Sequence, residues 1–392
     1  MGRVKTLNEW LDYQENLHTK EIDLGLNRIQ KVYKSLFPNG VDFKVITVAG
    51  TNGKGSTIAF IDSIYRQTTL KIGTFTSPHI NHYNERFTVN GVQVNDAQIC
   101  TAFEKIEQAR EGISLTYFEF STLAALLIFT HEKVAIAVLE IGLGGRLDSV
   151  NVVDSDVAVI SSIDIDHTDY LGTTREAIGF EKAGIMRANI PCVCGDINPP
   201  KTIAEYAQKI GAVLSFIDAP YLGEINLQGE HQKRNAALAV TAVNQLHTLS
   251  NNQISVGVAN AELTGRFQTK KVGGKTIVLD VAHNPAAVQV LADTLKNDKQ
   301  STIAIFSALE DKNIEKMINI ISPQIDEWLL IPLDVGRAIS MKNLTQKFDL
   351  SDKVRVCDDM ESAIYQALNK KNAQRIVIFG SFYVVTNALK IL

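Results

Sequence analysis

Cysteine is scarce in this chain: four residues in 392, at Cys100, Cys192, Cys194 and Cys357. Two of them form "PCVCG", a C-x-C spacing without the C-x-x-C of a redox or zinc site. Buried free thiols in a reducing compartment are therefore expected. Long apolar runs are also missing. Nothing approaches the ~18 residues of a membrane span, and the N-terminus shows no apolar core of a signal peptide. A cytoplasmic protein without a membrane partner is expected. The chain has no lysine/arginine block, and its formal net charge is −4, so nucleic acid has no basic footprint to bind. Internal repeats and low-complexity tracts are absent as well.

What remains is an ordinary globular composition, 45% apolar and 21% charged, in a chain long enough for two domains. Strand and helix signals alternate through the first two-thirds. Strands are predicted at Val45–Ala49, Lys71–Thr74, Val134–Ile141 and Val157–Ile163, and helices at Thr57–Tyr65, Asp96–Ala109, Phe120–Phe129 and Arg234–Leu246. Thr6 and Glu9 read as a capping box opening an earlier helix. Such alternation predicts a parallel sheet covered by helices. After "TGRFQ" a second α/β series begins, with "KTIVLDVAHNP", "STIAIFSAL", "DEWLLIPLD" and "QRIVIFGSFYVV". The boundary falls near Leu263–Arg266, giving domains at 1–264 and 265–392.

The first strand leads into "GTNGKGS" (Gly50–Ser56), which opens a helix. A glycine turn in this position directs backbone N–H groups and the positive end of the helix dipole at one point, which suits phosphate. Lys54 adds a point charge and the Ser56 hydroxyl a ligand for Mg²⁺, while Thr51, Asn52, Gly53 and Gly55 complete the turn. The spacing departs from G-x-x-x-x-G-K-[ST]; the competing reading is a tight turn that needs glycine for positive φ. The strand Val134–Ile141 carries Glu140 near its carboxyl end, where ligands of open parallel sheets lie. A carboxylate beside a phosphate loop suits Mg²⁺. "SSIDIDHTDYLG" places Asp164, Asp166, His167 and Asp169 where the chain again leaves the sheet, either as a metal or phosphate site or as a capped polar loop. "SPHINHY" offers two histidines three apart without a helical pattern, a poor zinc pair. "LDVAHNP" sets Asp280, His283 and Asn284 at a strand end, for a base or ribose, or as an Asx turn before proline.

Together these residues resemble the folylpolyglutamate synthase and dihydrofolate synthase family, the folate branch of the Mur-type amide ligases. "GTNGKGS", "SPH", "EIGLGGRLD", "DHTDYLG", "EKAGI", "GEHQKRNAALA", "GRFQ", "DVAHNP" and "GSF" occur in family order from about Trp10 to Phe382. "NLHTKEIDLGL" and "SLTYFEFSTL" look like the bifunctional bacterial enzymes that also accept dihydropteroate. The resemblance implies an N-terminal P-loop ATPase domain with a mainly parallel sheet and a smaller C-terminal Rossmann-like α/β domain.

It further implies ATP contacts at Thr51, Asn52, Gly53 and Lys54 and Mg²⁺ ligands at Ser77, Glu140 and His167. Nucleotide contacts from the other side fall at Asn235, Arg266 and Asp280. Lys182 matches a lysine that becomes a carbamate, and a monovalent cation is compatible with the resemblance. Lys54, Lys182 and His167 are the expected catalytic residues. Pterin-side contacts carry over to Asn16, Leu17, His18 and Thr19, to Thr116, Tyr117, Phe118 and Glu119, and to Leu147, Asp148 and Ser149. Phe118 reads equally as a pterin-stacking ring or as core. His283 and Ser381 are candidates for the glutamate side. The implied reaction joins L-glutamate to dihydropteroate and to reduced folates through an acyl phosphate, on a monomer. Where the family usually reads Ala-Thr-Asn or Ala-Ser-Asn after "GGRLD", this chain has Ser149, Val150 and Asn151, which removes a hydroxyl at Val150. The competing readings are a folate-only ligase, a Mur-type ligase of cell-wall precursors, and a nucleotide-switched binding protein. The last lacks an N-K-x-D guanine signature.

Overall fold

The computed structural model describes residues 5–348 and 353–392, which divide into two compact units. One comprises the chain up to Asn226 together with Lys233–Ala261; the other comprises Leu227–Gln232 and Glu262–Leu392. Among the described residues no helix is long and apolar enough to cross a membrane.

The first unit opens with helices α1 (Leu7–Glu15) and α2 (Asn27–Leu36). Thr6 caps α1 in the expected box, its backbone N–H donating to Glu9 Oε2 at 2.8 Å while its Oγ accepts from the Glu9 N–H. Strand β1 (Lys44–Ala49) precedes α3 (Lys54–Tyr65), then come β2 (Ile72–Phe75), β3 (Phe87–Val89) and β4 (Val92–Gln93). Helices α4 (Asp96–Ala109) and α5 (Tyr117–His131) lead to β5 (Ile136–Glu140) and β6 (Val157–Ile160). The short α6 (Thr168–Leu171), α7 (Arg175–Ala183), β7 (Pro191–Cys194), α8 (Lys201–Ile210) and β8 (Val213–Phe216) follow. The unit is completed by most of α9 (Glu230–Leu246) and by α10 (Asn251–Ala259).

The strands form one sheet in the order β4-β3-β2-β5-β1-β6-β7-β8. Pairing is parallel from β2 to β8, and only the β2–β3–β4 edge is antiparallel. Residues Val45–Ala49 of β1 are all buried, which is why this strand reads as an apolar run without alternation. Helices α3 and α5 are buried around most of their circumference, with small hydroxyl residues among the buried positions of both.

The elements differ from expectation mainly at their ends. Helix α3 starts at Lys54, three residues before the expected Thr57, because Gly53 supplies its N-cap with φ +87°. Helix α5 starts at Tyr117, not Phe120, because the Thr116 side chain accepts from the Glu119 N–H and Glu119 answers with its own carboxylate. Strand β6 ends at Ile160, three residues early, and its continuation pairs with the phosphate loop.

The second unit contains β9 (Gln268–Val272), β10 (Lys275–Leu279), α11 (Pro285–Lys296), β11 (Thr302–Phe306), α12 (Ile314–Ile321) and β12 (Glu327–Leu330). Then come α13 (Met341–Thr345), β13 (Val354–Val356), α14 (Met360–Asn369), β14 (Arg375–Phe379) and α15 (Phe382–Leu389). Its sheet runs β13-β12-β11-β14-β10-β9, parallel except for β9. Phe306, Trp328 and Phe379 meet in its core.

Candidate active site

Strand order decides which residues meet. Strands β2, β5, β1 and β6 are neighbours and parallel, so their carboxyl ends open on one edge of the sheet. Beyond those ends lie Ser77, Glu140, the Gly50–Ser56 loop and the segment ending in His167. In register, Val48 of β1 faces Glu140 of β5. These four sequence-predicted pieces share one edge because topology delivers them there.

The loop is built to receive an anion. Its helix has no side-chain cap: Gly53 occupies the N-cap position in a left-handed conformation. The N–H groups of Lys54, Gly55 and Ser56 therefore open the helix without a capping side chain. A Cβ on Gly53 would stand 2.7 Å from Asn235 Oδ1, so the turn needs glycine both for its φ and for the approach of α9. Lys54 Nζ lies over the loop, donating to Gly50 O at 3.1 Å. Ser56 is 2% exposed. Thr51 is tied to Asp164: its hydroxyl donates to the Asp164 carbonyl and accepts from the Asp164 N–H at 3.0 Å.

Ser77 and Glu140 are brought together, with the Ser77 N–H donating to Glu140 Oε2 at 3.0 Å. Glu140 is buried, and His167 sits at φ +51°, an uncommon conformation for a histidine, capping α6. Its Nε2 is 4.0 Å from the Asp166 carboxylate. A carboxylate, a hydroxyl and an imidazole form a donor set that suits a hard divalent cation.

Lys182 projects from α7 and is 3% exposed. Burial and the positive charge of Lys54 pull it down to about 7, against the opposing influence of Asp166 and Asp148. Asp148, also buried, is pushed up to about 7 by burial, opposed by backbone donors and Lys54. Both of its oxygens hold the glycine turn, accepting from Leu143 N–H at 2.8 Å and Val150 N–H at 3.0 Å. Sequence reading placed Lys54, Lys182, Asp148 and Asp166 in four separate motifs. In the structure they act on one another electrostatically.

The three segments expected on the pterin side are tied together. The His18 ring pairs with Ser114 Oγ at 2.9 Å and with Asp23 Oδ2 at 3.1 Å. Arg28 then bridges Asp23 and Glu119, with Nη2–Oε1 of the latter pair at 3.3 Å. Gly25 N–H donates to Leu147 O at 3.1 Å. Asn16 caps α1, Leu17 packs on the core, and Thr19 is exposed. Tyr117 lies edge-on to Tyr83, under the Arg86 guanidinium. Phe118 is half-buried and stacks on Phe75, with ring centroids 5.6 Å apart, whereas Phe120 is core. Arg28, Asp23 and Ser114 were missed by sequence reading. The signal available was an arginine among the apolar positions of α2, which is weak on its own.

The departure at Val150 is also resolved. Val150 is completely buried in the apolar core, while Ser149 places its hydroxyl 2.7 Å from that of Thr122. Thr122 donates its proton to Phe118 O at 2.9 Å, so Ser149 must donate to Thr122.

In the second unit Asp280, just past β10, accepts from the Phe267 and Ala282 N–H groups, each at 2.8 Å. Burial raises it and the Arg266 charge opposes this. The Arg266 guanidinium lies 5.2 Å from the Phe382 ring, which is 5.8 Å from the His283 ring. Ser381 caps α15 and Asn284 caps α11 ahead of Pro285. Nucleotide candidates Arg266 and Asp280 thus gather with His283 around one helix start. Just after β11, Lys312 is a nearly buried cation 3.4 Å from Asp311, which also pairs with Arg337.

Residues 48–191 match the Mur ligase middle domain and residues 265–382 the Mur ligase, glutamate ligase domain. The dihydrofolate synthase/folylpolyglutamate synthase of Haemophilus influenzae is 38% identical over 97% of this chain and 96% of its own. The solved structure of E. coli FolC in complex with DHPP and ADP superposes with a TM-score of 0.93 at 36% identity, covering 100% of this chain and 99% of that one. A bifunctional folylpolyglutamate synthase/dihydrofolate synthase with Mn, AMPPNP and L-glutamate bound gives 0.90 at 36% identity, covering 99% and 98%.

Proposed function

The chain belongs to the bifunctional dihydrofolate synthase/folylpolyglutamate synthase family of Mur ligases, and from that premise we propose how its own residues divide the work. It is an ATP-dependent ligase that adds L-glutamate to dihydropteroate and to folates already carrying glutamate. A carboxylate oxygen of the acid attacks the γ-phosphorus of ATP, the bond to the β–γ bridging oxygen breaks, and ADP leaves. The glutamate amine then attacks the acyl phosphate. The amide forms, inorganic phosphate departs, and the amine gives up its proton.

The first step brings two anions together. The N–H groups of Lys54, Gly55 and Ser56 hold the phosphates, and the Lys54 ammonium stabilises charge on the transferring group. ATP and a divalent cation are the cofactors, a reading supported by the Mn and AMPPNP bound in a solved relative. Ser77, Glu140 and His167 would hold Mg²⁺, which supplies further neutralisation of phosphate charge when bound. Thr51, Asn52 and Gly53 shape the loop, with Asn235 packed against Gly53, and Arg266 and Asp280 are the nucleotide candidates of the second unit.

Lys182 carries a carbamate in this reading. Its neutral amine attacks CO₂, an N–C bond forms, and a proton is released. The product is an anion with two oxygens, which can ligate a cation where an ammonium cannot. The burial and charge surroundings of Lys182 favour the neutral amine that this requires. A monovalent cation near the carbamate belongs to the same proposal.

Asn16–Thr19, Thr116–Glu119 and Leu147–Ser149 receive the pterin and aminobenzoyl groups. Each oxygen of Asp148 accepts one backbone N–H from its own turn and keeps acceptor capacity for the substrate side. Residues 265–392 receive glutamate, through His283 and Ser381, while residues 1–264 supply the phosphate loop and bind the acid. The protein acts as a monomer in the cytoplasm, without nucleic acid or membrane.

The observation that carries this reading is the shared edge of β2, β5, β1 and β6, which assembles Ser77, Glu140, the phosphate loop and His167. The test is ADP release with each acid, with and without glutamate. Glutamate-dependent turnover is expected with both dihydropteroate and tetrahydrofolate. Turnover with tetrahydrofolate alone would reduce the enzyme to a folate-only ligase.

A further inference from the structure

The phosphate loop does not stand alone. Strands β1 and β6 pair as far as Ala49 and Ile160, and the ladder then continues outside the sheet. Ser161 N–H donates to Ala49 O at 2.9 Å, and Thr51 N–H donates to Ser162 O at 2.7 Å. The Thr51 hydroxyl next replaces a main-chain group, exchanging two hydrogen bonds with the Asp164 backbone. Two loops leaving adjacent strands are therefore zipped together, side chain substituting for backbone where the chains diverge.

Within this zipper the Asn52 peptide groups are held by two hydroxyls. Ser162 Oγ accepts from the Asn52 N–H at 3.1 Å and donates to the Asn52 carbonyl at 2.9 Å. Ser161 Oγ, buried, lies 2.7 Å from the same carbonyl. The carbonyl has two donors. The N–H has Ser162 Oγ as its acceptor. Asn52 directly precedes Gly53, whose left-handed conformation turns the chain into α3 and aims the first-turn N–H groups.

We propose that Ser162 is a positioning residue for ATP: its hydroxyl clasps both backbone groups of Asn52 and thereby sets the direction of the N–H groups that receive the phosphates. Ser162 itself needs no contact with the nucleotide. This inference rests on the phosphate-loop reading above and deepens it by naming what holds the loop in its binding shape. The loop grips phosphate in the ground state and in the transition state alike, so loosening it weakens nucleotide binding more than it slows the chemical step.

The test is Ser162→Ala in the full chain, with ADP affinity measured by calorimetry and the Michaelis constants of all three substrates determined separately. Loss of the Ser162 clasp and a less ordered loop should weaken ADP binding and raise KM for ATP about tenfold. The KM values for glutamate and dihydropteroate should stay within about twofold, and kcat within about threefold. Ser162→Thr keeps the hydroxyl on a half-buried side chain and should bind ADP more tightly than the alanine variant. Unchanged ADP affinity in Ser162→Ala, or a threonine variant no better than alanine, overturns the proposal. Failure of the phosphate-loop reading itself would appear differently, as normal turnover in Lys54→Ala.

Discussion

Lys182→Met is the most informative single perturbation, because it separates what the buried lysine does for the reaction from what it does to the fold. The methionine matches the lysine's apolar stem and removes only the charge-bearing end. In the folded chain Lys182 is held near 7, against an ordinary value of 10.5. Its sign follows directly. A lysine with a depressed folded value contributes stability that is present at high pH and lost as pH falls toward 7, because the unfolded chain holds the extra proton throughout that window. At pH 8 the resulting cost is about 3 kcal/mol, and it shrinks by about 1.4 kcal/mol for each pH unit above that. Asp148 works in the opposite sense, with a raised value near 7, so its own window lies between about 4 and 7. From about pH 7.5 to 9.5 Asp148 therefore drops out, and the difference between wild type and variant isolates the lysine because the buried cysteines, all raised, are common to both.

The assay is urea denaturation of wild type and Lys182→Met in bicarbonate-depleted buffer, following the transition of the first unit. The variant should be more stable by about 3 kcal/mol at pH 8, and the difference should narrow as pH rises. Ligase activity should be lost. A variant no more stable than wild type, or a stability difference independent of pH, would refute the reasoning. Added bicarbonate should move the wild type and leave the variant unchanged. The enzyme would then be a case in which a residue that weakens the fold is kept for its chemistry.

Three further outcomes can be checked in parallel. Lys54→Ala should lower kcat by about 10²–10³ with an unchanged thermal midpoint, since it removes a preorganised charge and no core packing. Gly53→Ala must hold a side chain at φ +87°, costing about 1–2 kcal/mol, and must displace Asn235; ADP affinity by calorimetry should fall at least tenfold, and Asn235→Ala in the same chain should recover only part of it. Arg28→Met leaves Asp23 and Glu119 without their shared cation, so KM for dihydropteroate should rise about tenfold while KM for ATP holds; an equal rise in both would show general disruption of the unit.

Much of this site was legible in sequence because its pieces are local. A buried strand, a glycine turn and a helix start lie within Val45–Ile64, and periodicity alone separates them. Glu140 could be placed at a strand end for the same reason. The parts that were not legible depend on distance in space. Nothing in "NLHTKEIDLGLNR" shows that Arg28 reaches a carboxylate on α5, or that Gly25 bonds to the turn after β5. Asp148 was legible as a polar residue of the pterin-side turn, but only the fold reveals that each of its oxygens also accepts from a backbone N–H. Helix starts were misplaced by three residues at α3 and α5. Each begins at its N-cap, Gly53 or Thr116, whereas apolar periodicity becomes visible only a turn later.

The burial of α3 has a genetic consequence. Gly257 of α10 lies so close that a Cβ there would stand 2.5 Å from Ile64 Cα, and Tyr65 at the end of α3 bonds to His247 just past α9 at 3.1 Å. The helix that carries the phosphate loop is therefore wedged at its far end by residues outside every sequence motif. Any side chain at Gly257 must push against the backbone of α3, and a rigid helix transmits that push to its first turn. Screens for temperature-sensitive alleles of this enzyme should recover substitutions at Gly257, with ATP use failing at the restrictive temperature while the residues of the loop remain wild type.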